Sequence, residues 1–114
     1  MTKIKNNLAT TLVYLEDIIK KRNQGDKSNS YTKKLLKENV AKVSQKLGEE
    51  AIELVIAANG KDKKEIIHES ADLLYHLFVL WQKKGIDSKK IAAELERRKK
   101  WMQNIMKITF LLKS

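Results

Sequence analysis

The 114-residue chain has no cysteine, no proline and only four glycines: Gly25, Gly48, Gly60 and Gly85. The lack of cysteine excludes disulfides, zinc–thiolate sites and thiol catalysis, and is compatible with a reducing, cytoplasmic location. The scarcity of helix breakers favours long helices over a sheet of short strands. Long hydrophobic runs are also missing. The most apolar stretch, ADLLYHLFVLW at 71–81, is too short to span a bilayer, and MTKIKNNLATTLVYLEDIIK at the start has no apolar signal-peptide core, so no membrane partner is expected.

What is present is a soluble globular composition, 42% hydrophobic and 33% charged. The length suits one domain over 1–114, with a core at about 5–98 and a C-terminal extension at 99–114. The net charge is +10. It fits either a lysine-rich solvated surface or an anionic partner, and charge alone does not separate the two.

Polar loops cut the chain into helical segments. Leu8, Leu12, Leu15 and Ile19 recur at helical spacing in a first helix from about Thr2 to Arg22. After RNQGDKSNS, Ser30 or Asn29 can cap a short helix through YTKKLLKEN. A long helix from about Val40 to Asn59 shows Val43, Leu47, Ala51, Leu54 and Ala58 on its apolar face, and stops at Asn59–Gly60. The next, from about Lys63 to Lys84, is apolar nearly all round in its C-terminal half, as a central helix or one covered by a second chain would be. Asp87 or Ser88 caps a last helix with Ile91, Ala92, Leu95 and Met102 inward; KITFLLKS continues it, docks as an extended piece or stays loose. The expected fold is an all-α bundle of four to five helices, dimerising through helices.

QKLGEEAIELVIAAN at 45–59 breaks the pattern by putting acid beside its own apolar seam. At about 100° per residue, with Leu47 at zero, Glu50 falls near −60°, at the edge of the stripe set by Val43 and Leu54. Glu53 shares that flank at i+3, and Glu49 lies further round. In the next long helix Glu69 stands between Ile66 and Leu73, with Asp72 at i+3 and His76 one turn on. Two helices thus each offer a pair of acids to the interior. Four carboxylates cannot neutralise one another, and an isolated buried one costs several kcal/mol. Lysine salt bridges are one answer. A hard divalent cation on oxygen ligands is the other, and two matched pairs favour it. Asp72 in place of a Glu-x-x-His histidine argues for Mg²⁺, or Mn²⁺, over a di-iron site. Gly48 leaves room for a close helix or ligand.

GEEAIE followed by HESADLLYHL resembles the Glu-Glu-x-x-Glu … Glu-x-x-Asp signature of the all-α, MazG-like nucleoside triphosphate pyrophosphohydrolases. SYTKKLL at 30–36, AKVSQKLGEEAIELVIAA at 41–58, ESADLLYHLFVLWQKKGI at 69–86 and ELERR at 94–98 are similar, more narrowly, to the phosphoribosyl-ATP pyrophosphohydrolases of histidine biosynthesis. The likeness covers about residues 8–98; the tail after Arg98 differs from the usual family ending. Some members are fused to a cyclohydrolase domain; this chain is expected to be the stand-alone form.

The resemblance implies Mg²⁺-dependent hydrolysis of phosphoribosyl-ATP to phosphoribosyl-AMP and pyrophosphate by a cytoplasmic homodimer. Its motifs fall on Glu50, Glu53, Glu69 and Asp72 as metal ligands, and on Glu49 and Glu50 as catalytic residues, Glu49 as ligand or as the base that orients water. Lys42 and Lys46, on the helix of the acids, are candidate phosphate binders, Lys34 and Arg97 weaker ones together with Arg22 and Arg98. Ser30, Tyr31 and Thr32 can donate to phosphate from a helix N-terminus. His76 reads as a satisfied core histidine and His68 as exposed; Trp81 and Trp101 read as core or interface. Two rival functions stand beside this one. A house-cleaning pyrophosphohydrolase of NTPs or dNTPs would use the same acids. A basic helical module for nucleic acid would explain the charge but leave four inward acids without a purpose, so no nucleic-acid partner is expected.

Overall fold

A computed structural model describes residues 7–25, 27 and 30–113; the start of the first predicted helix, at 2–6, and the alternative cap Asn29 lie outside them. The described residues form five helices and no strand: α1 (Leu8–Asn23), α2 (Tyr31–Lys37), α3 (Val40–Ala58), α4 (Lys63–Lys83) and α5 (Ser88–Lys113). None is long and apolar enough to cross a membrane.

Each start is set by a side-chain cap. Asn7, Ser30 and Asn39 accept from the backbone N–H three residues on, and Asp62 from Lys64 N. Asp87 Oδ1 does the same for Lys89 N at the head of α5, at 2.9 Å. α4 ends in a Schellman turn, where Ile86 N donates to Trp81 O and Gly85 N to Gln82 O. Gly85 stands there at φ +68°, a conformation that side chains resist.

α3 and α4 are joined by the short 59–62 turn and form an antiparallel hairpin, the most extensive helix pairing in the molecule. α1 and α2 pack against α4, which is therefore the central helix that its apolar circumference predicts. Ile19 of α1, Leu35 and Leu36 of α2, Val43 of α3 and Phe78 and Val79 of α4 make the core, with Leu12, Leu15, Tyr75, Leu80 and Trp81 packed around it. Full burial of a side chain such as Val79 stabilises by roughly 1.5–3 kcal/mol.

The core lies at the end of the hairpin away from its turn. Towards the turn, α3 and α4 run on without cover, and Ile52, Val55, Ile56 and Ile67 are exposed. Three apolar-face predictions are corrected here. Ala57 rather than Ala58 is buried on α3, because that helix meets only α4 at that level. Leu8 is exposed at the first turn of α1. Ala92, Leu95 and Met102 of α5 are exposed, because α5 does not lie along the bundle.

Among the described residues, α5 is fastened to α1 at its head. Glu16 of α1 accepts from Ser88 N at 2.8 Å and from Ser88 Oγ at 2.7 Å, and Lys20 Nζ donates to Asp87 Oδ2 at 3.2 Å. Beyond that junction α5 shares no extensive packing with α1–α4, and the tail continues it as helix to Lys113. The radius of gyration is 17.7 Å, against about 13 Å for a compact chain of this length.

Candidate active site

The i, i+3 spacing of the acids, set on two antiparallel helices, puts Glu50 and Glu53 of α3 close enough to Glu69 of α4 for their charges to act on it. Glu50 on α3 and Glu69 and Asp72 on α4 are half-buried; Glu53 and Glu49 are exposed. Glu69 sits among the others. Burial pushes its carboxyl above the usual 4.5, and the charges of Glu50, Asp72 and Glu53 push it the same way, against a smaller opposing pull from His68.

The surrounding lysines leave that charge uncompensated. Among the described residues, Glu50, Glu53 and Glu69 have no ion pair with lysine or arginine. Lys46 pairs instead with Glu49 at 3.4 Å. Gln45 Nε2 donates to Glu49 at 3.0 Å, and Gln45, Lys46 and Lys42 hold the Glu49 carboxyl below its ordinary range. Glu49 is thus turned towards the N-terminal half of α3.

His68 was read from the sequence only as exposed. It is exposed, and its Nε2 lies 3.3 Å from Asp72 Oδ2. Ligand atoms of His68, Glu69 and Asp72 all fall within 4.8 Å of one another, a spacing that a cation can bridge. Its i−4 offset from Asp72 was the available signal. Glu53, His68 and Glu69 also line an open cleft of about 370 Å³, with Lys64 at its edge. The donor chemistry fits a hard divalent cation: mostly carboxylate oxygens, with an excess of negative charge that no described lysine or arginine pairs with at Glu50, Glu53 and Glu69.

α2 is clipped to α4 beside the acids. The Tyr75 and Thr32 hydroxyls are hydrogen-bonded. His76 is buried, at 6% exposure, and its Nδ1 donates to the carbonyl of Asp72 at 2.8 Å. That bond leaves Nε2 as an acceptor, and it faces the Tyr31 hydroxyl at 3.5 Å. His76 is therefore the satisfied core histidine the sequence suggested. Tyr31 and Thr32 spend their hydroxyls on this clip, while Ser30 Oγ caps α2 by accepting from Lys33 N at 3.1 Å.

The remaining predicted residues lie further out. Lys34 and Lys42 are exposed on α2 and the first turn of α3. Arg97 is held by Glu94, which also binds Arg98, on a helix with no extensive packing against α3, so the structure does not bring it to the acids. A methyl group built on Gly48 meets nothing within 4 Å, so no helix of this chain needs a glycine there.

A family model described as phosphoribosyl-ATP pyrophosphohydrolase matches residues 12–99. A phosphoribosyl-ATP pyrophosphatase of Azorhizobium caulinodans is 51% identical over 77% of this chain and 81% of its own length. One of Leptospira biflexa is 47% identical over 76% of this chain and 95% of its own. A histidine biosynthesis bifunctional protein of Buchnera aphidicola is 42% identical over 84% of this chain but only 46% of its own length.

Proposed function

This chain belongs to the phosphoribosyl-ATP pyrophosphohydrolase family, and from that premise we propose how it works: it hydrolyses phosphoribosyl-ATP at the acids of α3 and α4. Water cleaves the α–β phosphoanhydride bond, releasing phosphoribosyl-AMP and pyrophosphate, a step of histidine biosynthesis. The observation that carries the assignment of the site is Glu69, half-buried among three like charges with no ion pair to a lysine or arginine among the described residues.

Glu50, Glu53, Glu69 and Asp72 would hold Mg²⁺, with Mn²⁺ as the alternative, and His68 stands beside them as a further donor. A bound ion there supplies charge neutralisation of the triphosphate and polarisation of the scissile phosphoryl group. The chain does the rest. Glu50, nearest the core stripe, acts on the acids of α4, and Glu49 lies beside it on the exposed side of α3. Glu49, kept ionised by Gln45 and Lys46, orients the attacking water by accepting its hydrogen. Lys42 and Lys46 face the outer phosphates, Lys34 approaches from α2, and the hydroxyl hydrogen of Ser30 remains available to an oxyanion at the helix N-terminus. Tyr31 and Thr32 act by fixing α2 through His76 and Tyr75. Arg97 serves substrate only if a second copy brings it to the acids.

The protein works as a cytoplasmic homodimer in this proposal. Ile52, Val55 and Ile56 on α3 and Ile67 on α4 are large apolar side chains left exposed, and their cover by a second copy supports it.

Pyrophosphate release decides the substrate. We expect turnover of phosphoribosyl-ATP with Mg²⁺, loss of turnover under chelation, and dNTP hydrolysis at least about tenfold slower in kcat/KM, a gap of about 1.4 kcal/mol. Equal or faster dNTP turnover would assign the acids to house-cleaning instead.

A further inference from the structure

The C-terminal half of α5 has no work in the reaction described above, and residues 100–113 lie beyond the span that the family model matches. They are helical nonetheless. Trp101, Ile105, Ile108 and Leu112 follow the 4-3-4 spacing of a helix-packing seam. All four are exposed, Trp101 at 62% and Leu112 at 83%. A surface helix that keeps such a seam in water is unfavourable by itself, since each large side chain is worth roughly 1.5–3 kcal/mol when covered.

A recess on the body is chemically its counterpart. Leu12 and Val13 of α1, Leu74, Phe78 and Trp81 of α4, and Ile91 of α5 line an apolar groove of about 280 Å³. On the α5 wheel the seam lies about 100° round from Ile91 and Leu95 at this groove, and α5 is one helix from Ser88 to Lys113, so the tail does not bend back onto its own groove. Two α5 helices laid antiparallel about a twofold axis would bring the tail of each against the groove of the other, in a self-complementary contact.

We infer that residues 99–113 of α5 dock on a second copy of this chain, with the Trp101–Leu112 seam covering the groove between α1, α4 and the head of α5.

Surface area supports a second copy as the occupant. The chain exposes 9441 Å², whereas a compact monomer of 13.2 kDa exposes about 6,400 Å². The excess of about 3,000 Å² exceeds the share that each protomer of most obligate dimers buries, so the tail and the α3–α4 face can both be covered. A lipid surface fits less well. The seam is only about 60° wide on the wheel, Lys99 and Lys113 interrupt the arc beside it, and a flat bilayer does not fill a recess. This contact is separate from the dimer proposed through α3 and α4.

The cysteine-free chain makes the test direct. Val13→Cys and Leu112→Cys chains are mixed and oxidised, and the products are read on a non-reducing gel. We expect a covalent pair containing one of each, reduced at least about tenfold when Ile105→Lys and Ile108→Lys are added to the Leu112→Cys chain, with helix content unchanged by circular dichroism. Absence of the mixed pair overturns the proposal. So does an intrachain link in the Val13→Cys/Leu112→Cys double variant without the mixed pair, which would fold the tail back on its own body. Co-sedimentation with anionic phosphatidylserine vesicles in place of the mixed pair would give the tail to a lipid surface. A chain ending at Arg98 keeps the two contacts apart: if it stays dimeric while the crosslink fails, the α3–α4 dimer stands and the tail proposal falls.

Discussion

Ionising Glu69 opposes folding, because the charge that forms is half-buried and faces Glu50, Asp72 and Glu53. The same charge is what a cation needs. Glu69→Gln should therefore separate stability from activity. In metal-free buffer at neutral pH its melting temperature should rise above that of the native chain, while pyrophosphate release falls by at least about a hundredfold. A lowered melting temperature would mean that Glu69 has a stabilising partner. Asp87 illustrates the opposite sign. Its carboxyl is held below the ordinary 3.8, first by the Lys89 backbone N–H and then by Lys20. Folding thus favours the ionised form, so its contribution is complete above pH 3.8 and is lost as pH falls below it. Melting temperatures measured between pH 5 and pH 2 should show a shallower acid limb in Asp87→Asn, with the two proteins converging at the lowest pH.

The helices themselves suggest two further measurements. α2 is placed by the Thr32–Tyr75 and Tyr31–His76 contacts, so Tyr75→Phe should cost roughly 1–2 kcal/mol in urea unfolding, by leaving a part-buried hydroxyl without its partner. It should also raise KM severalfold with little change in kcat, since α2 carries Ser30 and Lys34. Gly48→Ala should stabilise by about 1 kcal/mol, because α3 gains helix propensity and the new methyl group meets nothing. A fall in kcat/KM in that variant would show that substrate or a second chain needs the space. At this scale much was legible in the sequence. Asn59–Gly60 and Gly85 mark the ends of α3 and α4, and their spans were predicted to within a residue. The acids could be placed together because i, i+3 spacing keeps each pair on one flank. The clip was not legible, since the partners of Tyr31 and Thr32 are more than forty residues away on α4. His68 was missed as a donor because exposure alone gives no sign of a neighbour. The turn of Glu49 towards Lys46 depended on a rotamer choice that a wheel does not show. The wheel likewise shows which side of α5 is apolar, but not that the helix leaves the bundle after its head.

For the whole molecule, the chain carries 24 lysines and arginines, yet among the described residues none pairs with Glu50, Glu53 or Glu69. The positive surface draws a polyphosphate in, and the acids would repel it without a cation between. This makes the cation the link between fold and reaction, and one titration addresses it. Mg²⁺ binding to the native chain and to Glu50→Gln and Glu69→Gln should be followed by calorimetry, with pyrophosphate release from phosphoribosyl-ATP measured on the same samples. The account predicts that both substitutions weaken Mg²⁺ binding and that activity falls with it. Unchanged binding and full turnover in either variant would contradict it.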